Sequence, residues 1–186
     1  MDLLRLPFVV LIEVFKNMDF KEKVSPISLV FSHLIPPTYV LEIMKMLDQR
    51  KVSIKSFVYR SSSLLPEFVV KILDECTEVT DRIEIAVLLP REFVYTPLRP
   101  FKTRKLHITG KSNWYNPDCF MNCRRVSLRL GFITTRTEQS YNSFFTNWMD
   151  SDSPLQHLTL CIDESKNQWI MDALNNQLVF LFFVLF

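Results

Sequence analysis

The segment RIEIAVLL at residues 82–89 alternates apolar and polar side chains in its first half. Ile83, Ile85 and Val87 fall on one side of an extended chain, while Glu84 falls on the other. Such alternation is typical of a β-strand with one face in a core. Three later segments follow the same pattern: KLHIT at 105–109, RRVSLRL at 124–130 and LQHLTLCID at 155–163. Their predicted inward side chains are Leu106, Ile108, Val126, Leu128, Leu130, Leu158, Leu160 and Ile162.

Apolar residues at helical spacing lie before and between these strands. The spacing predicts helices over 38–48, from about 63–66 to Cys76, and over 137–149, with one further strand over 52–59. Strands that alternate with helices in this way favour a mainly parallel sheet, because parallel neighbours need a crossover between them.

The strands recur along the chain at similar intervals. Their landmark residues are Ile54, Ile83, Leu106, Val126 and Leu158, which are separated by 29, 23, 20 and 32 positions. These intervals approach the period of about 20–29 residues that leucine-rich repeats show. Because one strand with its connection cannot bury its own apolar face, we expect the units to stack and share one continuous core.

The side of the predicted sheet opposite the core is polar and mostly basic. It would present Glu84, Lys105, His107, Arg125, Arg129, His157 and Thr159. The net charge of the chain is only +2, yet residues 99–136 hold nine basic side chains and a single acidic one, Asp118. This asymmetry indicates an anionic partner, and we favour an acidic protein over nucleic acid. The candidate substrate-binding residues are Lys105, His107, Arg125, Arg129 and His157.

Composition and spacing argue against several kinds of chemistry. With only two glycines, the chain cannot form a dinucleotide-binding turn, a phosphate-binding loop or a nucleophile elbow. His157 and Cys161 lie on one predicted strand about 13 Å apart, too far to converge on a zinc ion with Cys119 and Cys123. We therefore expect no enzyme activity, no cofactor and no metal.

Both ends of the chain are apolar. Residues 1–15 lack the basic start and the small-residue cleavage site of a signal peptide, and four cysteines do not make a disulfide framework in 186 residues. We therefore expect the protein in the cytoplasm or the nucleus. The tail LVFLFFVLF at 178–186 is too short for a membrane-spanning helix, so we expect no membrane partner. The sequence leaves open whether this tail pairs as a terminal strand or is foreign to the fold.

The first 37 residues predict three short helices. Pro7 suits the first turn of one helix, Asp19 the start of a second, and Ser25-Pro26 the start of a third. The third helix would place four apolar side chains on one face: Ile27, Val30, Phe31 and Leu34. The first helix is apolar on two faces, which predicts both a core and a partner.

This N-terminal segment resembles an F-box. The resemblance lies in the spacing of Leu6-Pro7, Val10, Val14-Phe15, Met18-Asp19 and Lys23. The segment LPFVVLIEVFKNMDFKEK at residues 6–23 is most similar to the large nematode-type F-box group. Residues 134–163 are similar to the type-2 F-box-associated region of those proteins, in which a helix ending in a Trp, here Trp148, precedes a leucine-rich strand.

With the repeat pattern, the resemblance implies an α+β protein. Its three-helix F-box would occupy 1–37, an irregular leucine-rich-repeat-like strand–helix array 38–177, and the apolar tail 178–186. Its implied function is that of a non-catalytic substrate receptor, which brings a target to a Skp-cullin-F-box type ubiquitin ligase. The F-box would bind a Skp-type adaptor, and through it a cullin, with Leu6, Pro7, Val10, Leu11, Val14, Phe15 and Met18. The alternative is a stand-alone protein- or RNA-binding repeat domain whose N-terminal helices cap the array.

Overall fold

The computed structural model describes residues 25–32, 34–61, 66–90, 93–109, 117–129, 137–161 and 170–172, together with Glu13, Asn17 and Gln168. Its strands are β1 (Ile27–Phe31), β2 (Ile54–Ser61), β3 (Arg82–Val87), β4 (Lys105–Thr109), β5 (Arg125–Arg129) and β6 (His157–Cys161). Its α-helices are α1 (Pro37–Gln49), α2 (Pro66–Glu75) and α3 (Glu138–Asp150). Two 3₁₀ turns lie at Cys76–Glu78 and Pro117–Phe120.

The six strands form one parallel sheet in which the spatial order is the chain order, β1 to β6. Each strand pairs with the next along the chain, so every crossover advances in the same direction. Because such crossovers are right-handed, the connections lie on the same face of the sheet. The protein is therefore a mixed α/β protein, and the predicted alternation of helices with mainly parallel strands is confirmed.

Two rows of in-register side chains form the centre of the core. The first row is Phe57, Ile83, Leu106, Val126 and Leu158; the second is Tyr59, Ile85, Ile108, Leu128 and Leu160. No member of either row is more than 5% exposed. The predicted inward sets are thus confirmed, apart from Leu130 and Ile162, which lie outside the described residues.

One repeat landmark is wrong. Ile54 pairs with Ile27, whereas the residue in register with Ile83 is Phe57. Ile54 packs against the core at the irregular start of β2, where the register with β1 shifts, so it is not the counterpart of Ile83. With this correction, and with Leu29 as the counterpart in β1, the intervals between in-register residues become 28, 26, 23, 20 and 32.

The helices cover the core rows with their apolar faces. Their buried side chains include Val40, Met44 and Leu47 of α1, Val69, Ile72 and Leu73 of α2, and Tyr141, Phe144 and Phe145 of α3. The hydroxyl of Thr137 caps α3 by accepting a hydrogen bond from the backbone amide of Ser140. At the other end of α3, Trp148 Nε1 donates to the carbonyl of Leu155 at 2.8 Å, which ties the helix to the segment that leads into β6.

The expected third N-terminal helix is wrong, because residues 27–31 form β1. Phe31 points into the core, where its ring centroid lies 5.8 Å from that of Phe57, while Val30 on the other face is 68% exposed. In so short a run the apolar spacing fits a helical and an extended period equally well. Pairing with β2 decides for the strand, since it satisfies backbone groups that a free edge would leave to solvent. The sheet consequently begins before residue 38, the expected start of the array.

Most of the remaining N-terminal predictions lie outside the described residues. Glu13 and Asn17 are helical, and Asn17 Nδ2 donates to the carbonyl of Glu13 at 2.8 Å, a contact across one turn. The other residues of the first two expected helices and the whole tail at 178–186 are not among those described. No helix in the described part of the chain is long and apolar enough to cross a membrane.

The connection between β3 and β4 covers the core without an α-helix in its described residues. Tyr95 is buried, and its hydroxyl donates to the Asp74 carboxylate of α2 at 3.0 Å. Burial and this carboxylate raise the pKa of Tyr95 well above its ordinary value, so the hydroxyl keeps its proton. Phe101 is also buried and lies 5.2 Å from Phe120, centroid to centroid. Tyr95 and Phe101 therefore cover the core in this connection, as the apolar faces of helices do in other connections.

We predict that Phe101→Ala lowers the free energy of unfolding by about 3 kcal/mol, because it removes a buried ring and leaves a cavity beside Phe120. Leu98→Ala is the matched control in the same connection: Leu98 is 86% exposed, and we expect a change of less than about 0.5 kcal/mol. Urea unfolding followed by tryptophan fluorescence measures both. Equal midpoints for the two variants would contradict the anchoring role of Phe101.

Candidate functional site

We call the face of the sheet opposite the core rows the outer face. A row of basic side chains lies on it where four of the strands start. The first residues of β3, β4, β5 and β6 are Arg82, Lys105, Arg125 and His157, and they are in register. We call them the amino row. Neighbouring strands lie about 4.8 Å apart, so four basic groups fall within about 15 Å. All four residues are exposed.

The backbone fixes the position of this row. The amide of Lys105 donates to the carbonyl of Asp81 at 2.8 Å, and the amide of Arg125 donates to the carbonyl of Arg104 at 2.8 Å. The amide of His157 donates to the carbonyl of Arg124 at 3.2 Å. Each basic residue is therefore held at the point where its strand joins the sheet, and its position does not depend on its side chain.

The next outward positions form a more neutral floor. Val58, Glu84, His107, Ser127 and Thr159 are in register across β2 to β6, and the last three are half-buried. Beyond them, at the carboxyl ends of β4, β5 and β6, lie Thr109, Arg129 and Cys161.

Two adjoining depressions run over this part of the outer face. One, of about 260 Å³, lies against the amino row, and the other, of about 380 Å³, lies toward the carboxyl ends of the strands. Both are lined by His107, Ser127 and Thr159, so they form one continuous trough over β4, β5 and β6. Lys105, Arg125 and His157 line one end of the trough, and Arg129 lines the other.

Glu84 places a buried carboxylate on the outer face, on β3. Its side chain is only 8% exposed, and it pairs with two arginines: Arg60 Nη2 lies 2.6 Å from Oε1 and Arg82 Nη2 lies 2.5 Å from Oε2. Burial by itself would raise the pKa of Glu84, but the hydrogen bonds and charges of the two arginines outweigh it and lower the pKa. Arg82 is thereby neutralised in part. Lys105 and Arg125, on β4 and β5, have no such carboxylate beside them among the described residues.

Lys105 and Arg125 are directly opposite each other in the sheet and carry the same charge. Within the described part of the chain, neither side chain forms an ion pair. Like charges at opposed positions destabilise a sheet, and an anion between them relieves the repulsion. The amino row therefore has the electrostatics of an anion-binding surface.

The structure brings together all five residues predicted to bind the substrate. Lys105, His107, Arg125, Arg129 and His157 lie on the outer face and line the trough. The sequence prediction missed two contributors, Arg82 and Ser127, although the same alternation marks both: each lies directly beside an inward residue of its strand. The predicted adaptor-binding residues, from Leu6 to Met18, lie outside the described residues.

The described thiols are poor nucleophiles where they are buried. Burial and the charge of Glu75 raise the pKa of Cys76 well above its ordinary value, and burial raises that of Cys123 to about 12. Both residues belong to the core. Among the described residues, no group of three or more His, Cys, Asp or Glu side chains is placed to hold a metal ion.

No protein-family model, curated protein or solved structure matches the chain.

We predict that Glu84→Gln lowers the free energy of unfolding at pH 7 by about 1–3 kcal/mol, because it removes a buried charge that satisfies two arginines. The pKa of Glu84 is lowered in the folded state, so its contribution is present above the unfolded pKa and is lost as the pH falls through the folded value. The difference in stability between the variant and the unaltered protein should therefore shrink as the pH falls below about 4.3, the unfolded value, and vanish only below the lowered folded value.

The matched control is Glu78→Gln, which removes a carboxylate that also pairs with two basic side chains but is 48% exposed. We expect this exposed network to contribute less than about 1 kcal/mol. Chemical denaturation at pH 7 and at pH 3.5 measures both variants. A Glu84→Gln variant as stable as the control at pH 7 would contradict the prediction that the buried ion pairs of Glu84 stabilise the fold.

Proposed function

We propose that this protein is a non-catalytic receptor that binds an acidic protein partner on its outer face, over β4, β5 and β6. The observation that carries the proposal is the opposed pair of Lys105 and Arg125, whose like charges have no acidic partner among the described residues. A protein carboxylate placed over this pair would gain two charge-assisted contacts and relieve their repulsion.

The stiffness of the sheet supports the same proposal. The amino row is held by backbone hydrogen bonds, and its strands rest on a fully buried core. A preorganised row of charges loses little conformational freedom on binding, so more of the interaction energy appears as affinity. Its positive field also steers an acidic partner during encounter.

The resemblance of residues 6–23 to an F-box extends the proposal to a ubiquitin ligase. In this function the N-terminal segment binds a Skp-type adaptor and through it a cullin, while the outer face holds the target for transfer of ubiquitin. The protein does no chemistry and acts by raising the effective concentration of the target at the ligase. The in-register intervals of 20–32 residues support an irregular leucine-rich-repeat-like array as the target-binding part.

A stand-alone protein- or RNA-binding repeat domain is the second candidate, and one observation favours it. β1 continues the same sheet as the later strands, although an F-box would place a third helix there. Residues 27–31 therefore belong to the array itself, as the first strand of its sheet. Binding of the adaptor discriminates between the two candidates.

We predict that the full chain binds a purified Skp-type adaptor at micromolar concentration and that replacing Leu6 and Pro7 together with Ala abolishes this binding, because a few apolar side chains dominate such interfaces. The double variant should keep the cooperative urea transition of the sheet. Isothermal titration calorimetry measures the binding. If the unaltered chain does not bind the adaptor, the ligase function is wrong and the stand-alone receptor remains.

We predict that Arg125→Glu with Arg129→Glu weakens binding of a 15-residue poly-glutamate peptide at least tenfold, since it replaces attraction with repulsion at both ends of the trough. Lys45→Glu, on the exposed side of α1, is the matched charge-reversal control and should leave binding nearly unchanged. Fluorescence anisotropy at two salt concentrations measures the affinities. Failure of the unaltered protein to bind the peptide, or tighter binding of a single-stranded oligonucleotide of equal charge, would contradict an acidic protein partner.

A further inference from the structure

We infer that the acidic segment of the partner is an α-helix that lies along the amino row, across β4, β5 and β6, with carboxylates at positions i, i+4 and i+7. These carboxylates would lie over Lys105, Arg125 and His157. The inference rests on the proposed function, because it names the conformation and the charge pattern of the acidic segment that the outer face selects. Three features of the amino row lead to it: its direction, its spacing and the charges at its β3 end.

The positive charge of the amino row runs across the strands. Lys105, Arg125 and His157 are in register on three neighbouring strands. Two further exposed arginines, Arg104 and Arg124, directly precede the first two of them. Within the described part of the chain, no carboxylate pairs with Lys105 or Arg125. An acidic segment that follows this positive field therefore crosses the strands.

The spacing of the row fits a helix better than an extended chain. Lys105 and His157 are two strands apart, which is about 9.6 Å. On an α-helix, side chains at i, i+4 and i+7 lie on one face and span about 10.5 Å. On an extended chain, the three same-side residues i, i+2 and i+4 span about 13 Å. Long basic side chains can accommodate the mismatch of about 1 Å that the helix leaves, whereas an extended chain leaves more than about 3 Å.

The depression beside the amino row gives a carboxylate a second contact. It has a volume of about 260 Å³ and is lined by Ser127 and Thr159, which are half-buried and carry hydroxyl groups. A carboxylate only accepts hydrogen bonds, and a hydroxyl can donate one. A glutamate over Arg125 can therefore accept a charge-assisted bond from the guanidinium and a second bond from Ser127 on the same strand. We expect the middle position, i+4, to contribute most to the selection.

The charges at β3 limit the length of the helix. Arg82 continues the amino row there, but Asp81 precedes it and the carboxylate of Glu84 accepts a bond from its guanidinium. On β2 the position in register with Arg82 is the uncharged Ser56. A fourth carboxylate at i+11 would approach two acidic residues and gain little attraction. Two helical turns that carry three carboxylates therefore match the row.

The test uses the full chain and two fluorescein-labelled peptides of fourteen residues, held helical by the same hydrocarbon staple between positions i+1 and i+5. Both contain three glutamates, with alanine and glutamine elsewhere. The first peptide has them at i, i+4 and i+7. In the second the middle glutamate is moved to i+2, on the opposite face, so charge and composition are identical. We expect the first peptide to bind at least fivefold tighter in fluorescence anisotropy, because only its middle glutamate faces Arg125.

Variants of Arg125 test the contact itself. Arg125→Gln removes the charge that meets the middle glutamate and should make the two affinities equal. Arg125→Lys keeps the charge and should keep the preference, as should Lys45→Glu on the exposed side of α1. Each variant is first shown to have an unchanged cooperative urea transition.

A third peptide tests the conformation on the unaltered protein, so this measurement stays valid if Arg125→Gln is unstable. It is unstapled and rich in glycine, with glutamates at i, i+2 and i+4. We expect it to bind at least fivefold more weakly than the first peptide, because an extended chain cannot place three carboxylates over the row.

The outcomes separate this inference from the proposed function. Three results overturn the inference, while binding of the 15-residue poly-glutamate peptide leaves the receptor function standing: equal affinity for the two stapled peptides, an undiminished preference in Arg125→Gln, or an extended peptide that binds as tightly as the first. Absence of binding to the poly-glutamate peptide overturns both. Tighter binding of a tetranucleotide, whose three phosphates carry the same charge, than of the first peptide also overturns the inference.

Discussion

Every other feature of this protein depends on the pairing of each strand with its neighbour in the chain. Because the six strands are parallel and follow chain order, their crossovers lie on one face, and that face becomes the core. The two buried rows through Phe57 and Tyr59 hold the register: a slip of one residue would turn each row toward solvent. Full burial of a side chain of this size contributes about 1.5–3 kcal/mol, so such a slip is strongly disfavoured. The outer face follows from this pairing, since the described parts of the crossovers lie on the core side.

The connections between the strands differ in secondary structure. This is possible because the core rows need only to be covered by apolar side chains, and either a helix or a loop can supply them. α1, α2 and α3 cover them with helical faces, whereas the segment after β3 uses Tyr95 and Phe101, and the segment before β5 uses Phe120. Each solution needs a different length of chain. The unequal intervals between in-register residues, from 20 to 32, are the consequence, and they explain why the repeat is irregular in sequence yet regular in register.

The sequence predicts those parts of the fold whose pattern is local. Alternation identified β3 to β6 and the direction of their side chains, and apolar rows identified α1, α2 and α3 within one or two residues. It failed at β1, where five residues fit two periods and the decision comes from pairing with β2, a contact distant in the chain. It also could not show that Glu84 is buried, because Arg60, one of the two arginines that compensate its charge, becomes its neighbour only when β2 and β3 pair. The five substrate-binding candidates could be placed on one face because each follows the alternation of its own strand.

The basic side chains of the outer face differ in whether they stabilise the folded sheet. Arg60 and Arg82 have a structural role, because the buried carboxylate of Glu84 requires them. Among the described residues, Lys105 and Arg125 compensate no carboxylate: their backbone amides are already bonded, their neighbours in the core rows are apolar, and their opposed charges repel. Uncharged side chains such as threonine would serve the sheet better at both positions. Repulsive charges that the sheet itself does not require are the physical basis for the proposal that this face binds an acidic partner.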